Sequence, residues 1–165
     1  MGKESQLFGK PNVRKLAEKH DLVALVQATY HPDVMIRVQA VDALDGKEAE
    51  LAQALATVCH ERDAHYGATG KIRDSDERKS QVLQKGLVLG GPDAAQTIIK
   101  VCRENEGVGA IEFASVLAHL WDCYSEEELR PDDPLDALSK DPDSTMAEIG
   151  KTAVSIRRAF HAWRR

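Results

Sequence analysis

The segment Cys59-His60-Glu61-Arg62-Asp63-Ala64-His65 is the densest run of metal-ligating side chains in the sequence. Two histidines and a glutamate on a helix make a hydrolytic zinc site when the histidines stand four apart, because that spacing puts them on one face. Here the spacing is five, which turns His65 about 140° away from His60 around a helix. His119 and Cys123 do stand four apart. Zinc, however, takes three or four ligands, and no others lie near them in sequence. The expectation is no metal and no other cofactor.

Acyl- and phosphoryl-transfer chemistry find no anchor either. The chain has no G-x-S-x-G elbow and no phosphate-cradling glycine loop, and Gly90-Gly91-Pro92 reads as one helix stopping and the next starting. The carboxylates of SEEELRPDDPLD are clustered in an acidic, proline-bearing linker of the kind that water solvates. No acid–base pair is evident that burial would perturb, so no catalytic set is expected.

Charge and composition narrow the classes further. The chain has 165 residues, 42% hydrophobic and 30% charged, which is a globular balance that fits one domain or one short stack of repeats. With only three Phe, two Trp and three Tyr, packing must rely on Ala, Leu and Val, as in closely pressed helices. A net charge of −5 gives no general attraction to phosphate backbones. Cys59, Cys102 and Cys123 form no C-x-x-C pair and are odd in number, which points to buried thiols in a reducing compartment. The opening MGKESQLFGKPN lacks a signal-like apolar core, and Ser5 falls one position short of the myristoylation pattern. No run approaches the ~18 apolar residues of a membrane span, so a cytoplasmic protein is expected.

The elements that must position any site are helical throughout. Pro11-Asn12 precedes VRKLAEKH, and Asp21 caps LVALVQATY. Asp33 caps VMIRVQAVDAL, which stops at Asp45-Gly46. EAELAQALATVCHE follows, from about Glu48 to Glu61, then a polar two-glycine loop over 62–74. Ser75-Asp76 opens ERKSQVLQKGLVL, and Pro92 begins DAAQTIIKVCREN. GAIEFASVLAHLWDCY, a short DALSK and a final TMAEIGKTAVSIRRAFHAW complete the set.

A repeat runs through these elements. HPDVMIRVQAVDAL (31–44) aligns with DPDSTMAEIGKTAV (141–154), matching Pro32 with Pro142, Asp33 with Asp143, Ala40 with Gly150 and Ala43 with Ala153. DSDERKSQVLQKGL (74–87) fits the same frame, with Asp76 in the capping place and Leu83 at the position of Ala40. GVGAIEFASVLAHL is a looser fourth copy. The pattern is turn, cap and helix, with a small residue where another helix approaches closely. His31-Pro32-Asp33 is also the signature tripeptide of J-domain co-chaperones. That family needs a basic helix before the tripeptide, and DLVALVQATY has no lysine or arginine.

The unit DLVALVQATYHPDVMIRVQAVDALDG resembles the HEAT-repeat family, stacked helix pairs that bind proteins. The resemblance covers residues 12–163 and implies an all-α solenoid, a right-handed α-α superhelix of about four hairpins. The units would be about 12–45, 48–90, 92–122 and 133–163, after a tail of 1–11. In that family the helix arginine and the turn aspartate bond to the adjacent repeat, which implies that role for Arg37 and Asp33. The arginine position holds Ser80 and Ala147 in later copies, which makes the stack less regular.

Such repeats imply a non-catalytic protein-binding scaffold whose second helices line the inner surface. Met35, Gln39 and Asp42 in the first unit, with Lys79 and Lys85 in the second, form the candidate binding surface, and loop 62–74 is an alternative contact point. Two other uses of HEAT-like folds supply alternatives. One group of DNA glycosylases has a basic groove, and another group attaches bilin chromophores to antenna proteins. Basic residues do cluster at Lys71, Arg73, Arg78, Lys79 and Lys85, and at Arg157, Arg158, Arg164 and Arg165. The acidic net charge favours a solvated helix face over a nucleic-acid groove. Trp121 and Trp163 read as packing residues and not as base-stacking platforms.

Overall fold

A computed structural model describes residues 9–120 and 134–163, all in helices, turns and short connections. Trp121, Cys123, Arg164, Arg165 and most of the acidic linker lie outside the described residues. The chain divides into two compact units, residues 1–46 and 47–165. That division falls between the first and second expected hairpins.

The first unit holds α1 (Val13–Glu18), α2 (Leu22–Ala28) and α3 (Val34–Leu44). Each start is fixed by a polar side chain satisfying an orphan amide. Asn12 accepts from the Lys15 amide, Asp21 from the Ala24 amide and Asp33 from the Met35 amide. The Pro32 turn is stapled twice more. His31 Nδ1 accepts from the Asp33 amide at 3.0 Å, and Arg37 Nη1 donates to the carbonyls of His31 and Pro32 at 2.8 and 3.0 Å. The core of this unit is Val13, Leu25, Val26, Ala28, Ile36, Ala40 and Leu44.

The second unit holds α4 (Glu48–Thr69), α5 (Asp74–Val88), α6 (Ala95–Glu104), α7 (Ala110–His119), α8 (Pro134–Ser139) and α9 (Ser144–Trp163), with a 3₁₀ turn over Pro92–Ala94. α4 packs on α5 and α6, α5 and α9 both pack on α7, and α8 packs on α9. Leu55, Leu83, Leu87, Ile98, Phe113, Leu117, Leu135, Met146 and Ile149 are its fully buried large side chains. Burying each one stabilises by about 1.5–3 kcal/mol before chain entropy is counted.

Two expectations need correction. The loop over 62–74 is instead the last two turns of α4, and only Gly70–Arg73 remains as a connection. Those turns run past the core, since every residue from 60 to 69 is exposed or half-buried, so they carry no apolar stripe to read. Gly67 lies inside the helix without breaking it. The stop is Gly70, left-handed at φ 68, whose amide bonds back to Tyr66 O. Asp76 is not a cap: α5 starts at Asp74, and Asp76 is buried inside its first turn, ion-paired to Arg73 at 2.9 Å.

The small residue expected at the close approach in the last copy is there. Gly150 of α9 lies against the backbone of α8, where an added Cβ would meet Leu138 C at 2.6 Å and Ser139 Cα at 2.8 Å. Side-chain bonds also join one helix pair to the next within this unit. Arg62 of α4 pairs with Glu112 of α7. Gln53 of α4 exchanges two amide hydrogen bonds with Asn105 just after α6, at 3.2 and 3.0 Å. Arg103 of α6 donates to both oxygens of Asp141, in the turn before α9.

Candidate functional site

α3 is the helix that the sequence marks most strongly. Its eleven residues, VMIRVQAVDAL, are apolar at nearly every angle, whereas a surface helix needs only one apolar stripe. One side of α3 is the core of the first unit, through Ile36, Ala40 and Leu44. A second side, about 130° round the helix, carries Val34, Val38 and Val41, a spacing of four and then three that aligns them along the helix axis. These valines are 55%, 49% and 48% exposed, and Met35 beside them is 60% exposed.

Met35, Gln39 and Asp42 are all exposed and share one edge of this face, so the structure brings these three expected residues together. Gln39 and Asp42 also line a recess of about 590 Å³ closed on its other side by the segment from Lys10 to Arg14. Lys79 and Lys85 are exposed on α5, in the second unit. Six positions apart, they sit about 120° from each other around that helix and form no common patch.

Asp33 and Arg37 form the floor of the turn at one end of this face. Asp33 caps α3 and takes an ion pair from Lys10 at 3.0 Å. That ammonium, together with the Met35 amide, holds the Asp33 carboxyl below its usual range. The hydrogen bonds of the Arg37 guanidinium described above stay within its own turn. Among the described residues, a turn aspartate that bonds from one helix pair to another is Asp141, to Arg103.

The other candidate chemistry is placed as follows. His60 and His65 lie on the continuous helix α4 at their unfavourable spacing, His60 exposed and His65 half-buried. His119 Nδ1 donates to Ser115 O at 2.6 Å, and its ring meets the edge of Phe160 with centroids 4.5 Å apart. Among the described residues, no group of three or more His, Cys, Asp or Glu is placed to hold a metal ion. None of their helices is long and apolar enough to cross a membrane. Arg73, in the basic cluster, is engaged by Asp76, and Asp74 and Glu77 stand in the same helical turn. Trp163 is 94% exposed at the end of α9 and fills no core position.

Cys59 and Cys102 are buried thiols. Burial first, then the nearby Glu112 carboxylate, lifts the Cys59 thiol from 9.0 to about 12, and burial lifts Cys102 to about 11. Both therefore stay protonated and unreactive at neutral pH. A thiol raised on folding gives stability that is complete below its unfolded value near 9 and lost as pH rises through the folded value. Urea unfolding should thus show stability falling between pH 9 and 12, with a shallower fall in Cys59→Ala. A native protein that reacts stoichiometrically with a thiol reagent at pH 7.5 would contradict this burial.

The bonds Arg62–Glu112, Gln53–Asn105 and Arg103–Asp141 were not foreseen from the sequence, because their partners lie 50, 52 and 38 positions apart. The valine face is legible in the sequence: a short helix apolar at nearly every angle must expose part of that surface unless something covers it. No family model, curated protein or solved structure matches the chain.

Proposed function

We propose that this chain is a non-catalytic protein-interaction module of the HEAT-repeat type, an α-solenoid that acts in the cytoplasm. The observation that carries the reading is α3, whose Val34, Met35, Val38 and Val41 form an exposed apolar face beside the polar Gln39 and Asp42. Contiguous apolar surface rimmed by polar groups is the usual mark of a protein-binding site. The packing order of the second unit supports the solenoid. There α4 lies on α6 as first helix on first helix, and α5 on α7 and α7 on α9 as second on second. The protonated, buried state of Cys59 and Cys102 suits a reducing compartment.

The test is affinity capture with mass spectrometry from a cell lysate, comparing the wild-type chain with the double variant Asp42→Lys, Lys85→Glu. A specific protein retained by the wild type and lost by the folded double variant supports the reading, and the two single variants then tell which of the two helices holds it. Tight binding of the purified protein to duplex DNA at physiological salt, with a steep salt dependence, would replace it with a nucleic-acid function.

A further inference from the structure

We infer that the exposed face of α3 is a docking site for a single amphipathic helix, bound antiparallel and carrying basic residues in its first turn. The inference deepens the interaction reading and rests on it. Three observations define the occupant. First, Val34, Val38 and Val41 make a straight apolar ridge along the axis, the i, i+4, i+7 pattern that accepts the apolar stripe of another helix. From Val34 to Val41 the ridge rises about 10 Å along the helix, so two to three turns of a partner cover it.

Second, charge on this face is one-sided. Asp42 and Asp45 are exposed at the C-terminal end of the ridge, and neither carboxylate has a side-chain partner among the described residues. The cations near the ridge and its recess are engaged, Lys10 by Asp33, Arg14 by Glu18 and Arg37 by the turn carbonyls. The C-terminal end of α3 also carries the negative pole of its backbone dipoles. An antiparallel partner brings its own N-terminus, the positive pole, to Asp42 and Asp45, and lysine or arginine in that first turn completes the match.

Third, the face is narrow. A second copy of this chain would bring α1 and α2 along with its own α3, and two such ridges alone cover far less than the ~1,200 Å² of a stable interface. It would also set Asp42 and Asp45 against a helix start whose lysine is already paired. A bare helix brings no second α1 and α2 and no paired lysine, its flank can enter the recess between Gln39, Asp42 and the Lys10–Arg14 segment, and the small area it covers matches a weak, micromolar interface.

The experiment is selection from a display library of helical 16-residue peptides on the whole chain, with Val38→Arg as the counter-target. Val38 is about half exposed, so Val38→Arg keeps the fold, and circular dichroism checks that it does. The expected consensus has apolar residues at i, i+4 and i+7 and lysine or arginine in the first turn. A consensus peptide should bind with a Kd of about 1–100 μM and at least ~10-fold more weakly to Val38→Arg. Asp42→Asn with Asp45→Asn should cost ~3–10-fold at low salt, and the difference should shrink at 1 M NaCl. Selected peptides that are acidic or extended, equal binding to Val38→Arg, or no enrichment at all would each overturn the inference. A concentration-dependent dimer abolished by Val38→Arg would also overturn it, because it assigns the ridge to a second copy. A captured protein partner that depends on Lys79 or Lys85 and ignores Val38 would leave the interaction reading standing and remove this one.

Discussion

Gly150→Ala is expected to destabilise the protein by about 2 kcal/mol or more, although alanine is the better helix former by ~1 kcal/mol. The added methyl has nowhere to go. It would lie 2.6 Å from Leu138 C and 2.8 Å from Ser139 Cα, and these are backbone atoms that no rotamer change can move aside. α8 must therefore shift as a body from α9, uncovering Leu135 and Leu138. Gly67→Ala is the matched control. That glycine lies inside α4 with nothing within 4 Å of a new Cβ, so only the propensity gain remains, and stability should rise by about 0.5–1 kcal/mol. Urea unfolding followed by circular dichroism measures both. A neutral Gly150→Ala would mean that α8 does not seat on α9 as described.

Glu112→Ala should cost about 2–3 kcal/mol, while the double replacement Arg62→Met, Glu112→Leu should stay within about 1 kcal/mol of the wild type. The pair is nearly sealed, with side chains 16% and 14% exposed. Removing the carboxylate leaves a guanidinium in a poor solvent with only Asp63, itself 59% exposed, to answer it. The loss falls short of the 3–5 kcal/mol of a fully buried pair because some water still reaches both groups. Removing both charges and filling the space with apolar atoms leaves no such residue. With Arg62→Met and Glu112→Leu also measured singly, a double variant whose loss equals the sum of those two would show that the groups do not interact. The Glu112 bond, with burial opposing it, holds the Arg62 guanidinium above its usual range, so it remains charged at any pH where the chain folds.

The helices were legible where local chemistry and the core agree. α3 falls on the stretch the sequence marked, because a turn proline, a capping aspartate and Asp45-Gly46 bound a short apolar run. Gly150 was legible as well, since its alignment with Ala40 demanded a small residue. α4 was read short because polar periodicity vanishes beyond Cys59, where no core is left to impose it. Asp76 was misread as a cap because a buried, arginine-paired aspartate and a capping one look alike in a string of letters. On the candidate site, Met35, Gln39 and Asp42 were placed on one face by helical spacing alone. The valine ridge beside them shows only when the helix is taken as a whole, because the same residues, read one at a time, are ordinary core formers. The bonds joining one helix pair to the next depend on which faces meet, which no local window contains.

The stretch of α4 beyond Cys59 has a mechanical consequence. Ten residues rise about 15 Å, and α5 returns alongside them, so the pair forms a lever whose pivot is the Arg62–Glu112 clamp. The tip lies seven residues, or about 10 Å, beyond Arg62, so a tilt of about 6° at that pivot sweeps it by about 1 Å. Anything that grips Tyr66 or Ile72 there, both exposed, would transmit a torque to α7 through the Arg62–Glu112 pair and through the packing of α5 on α7.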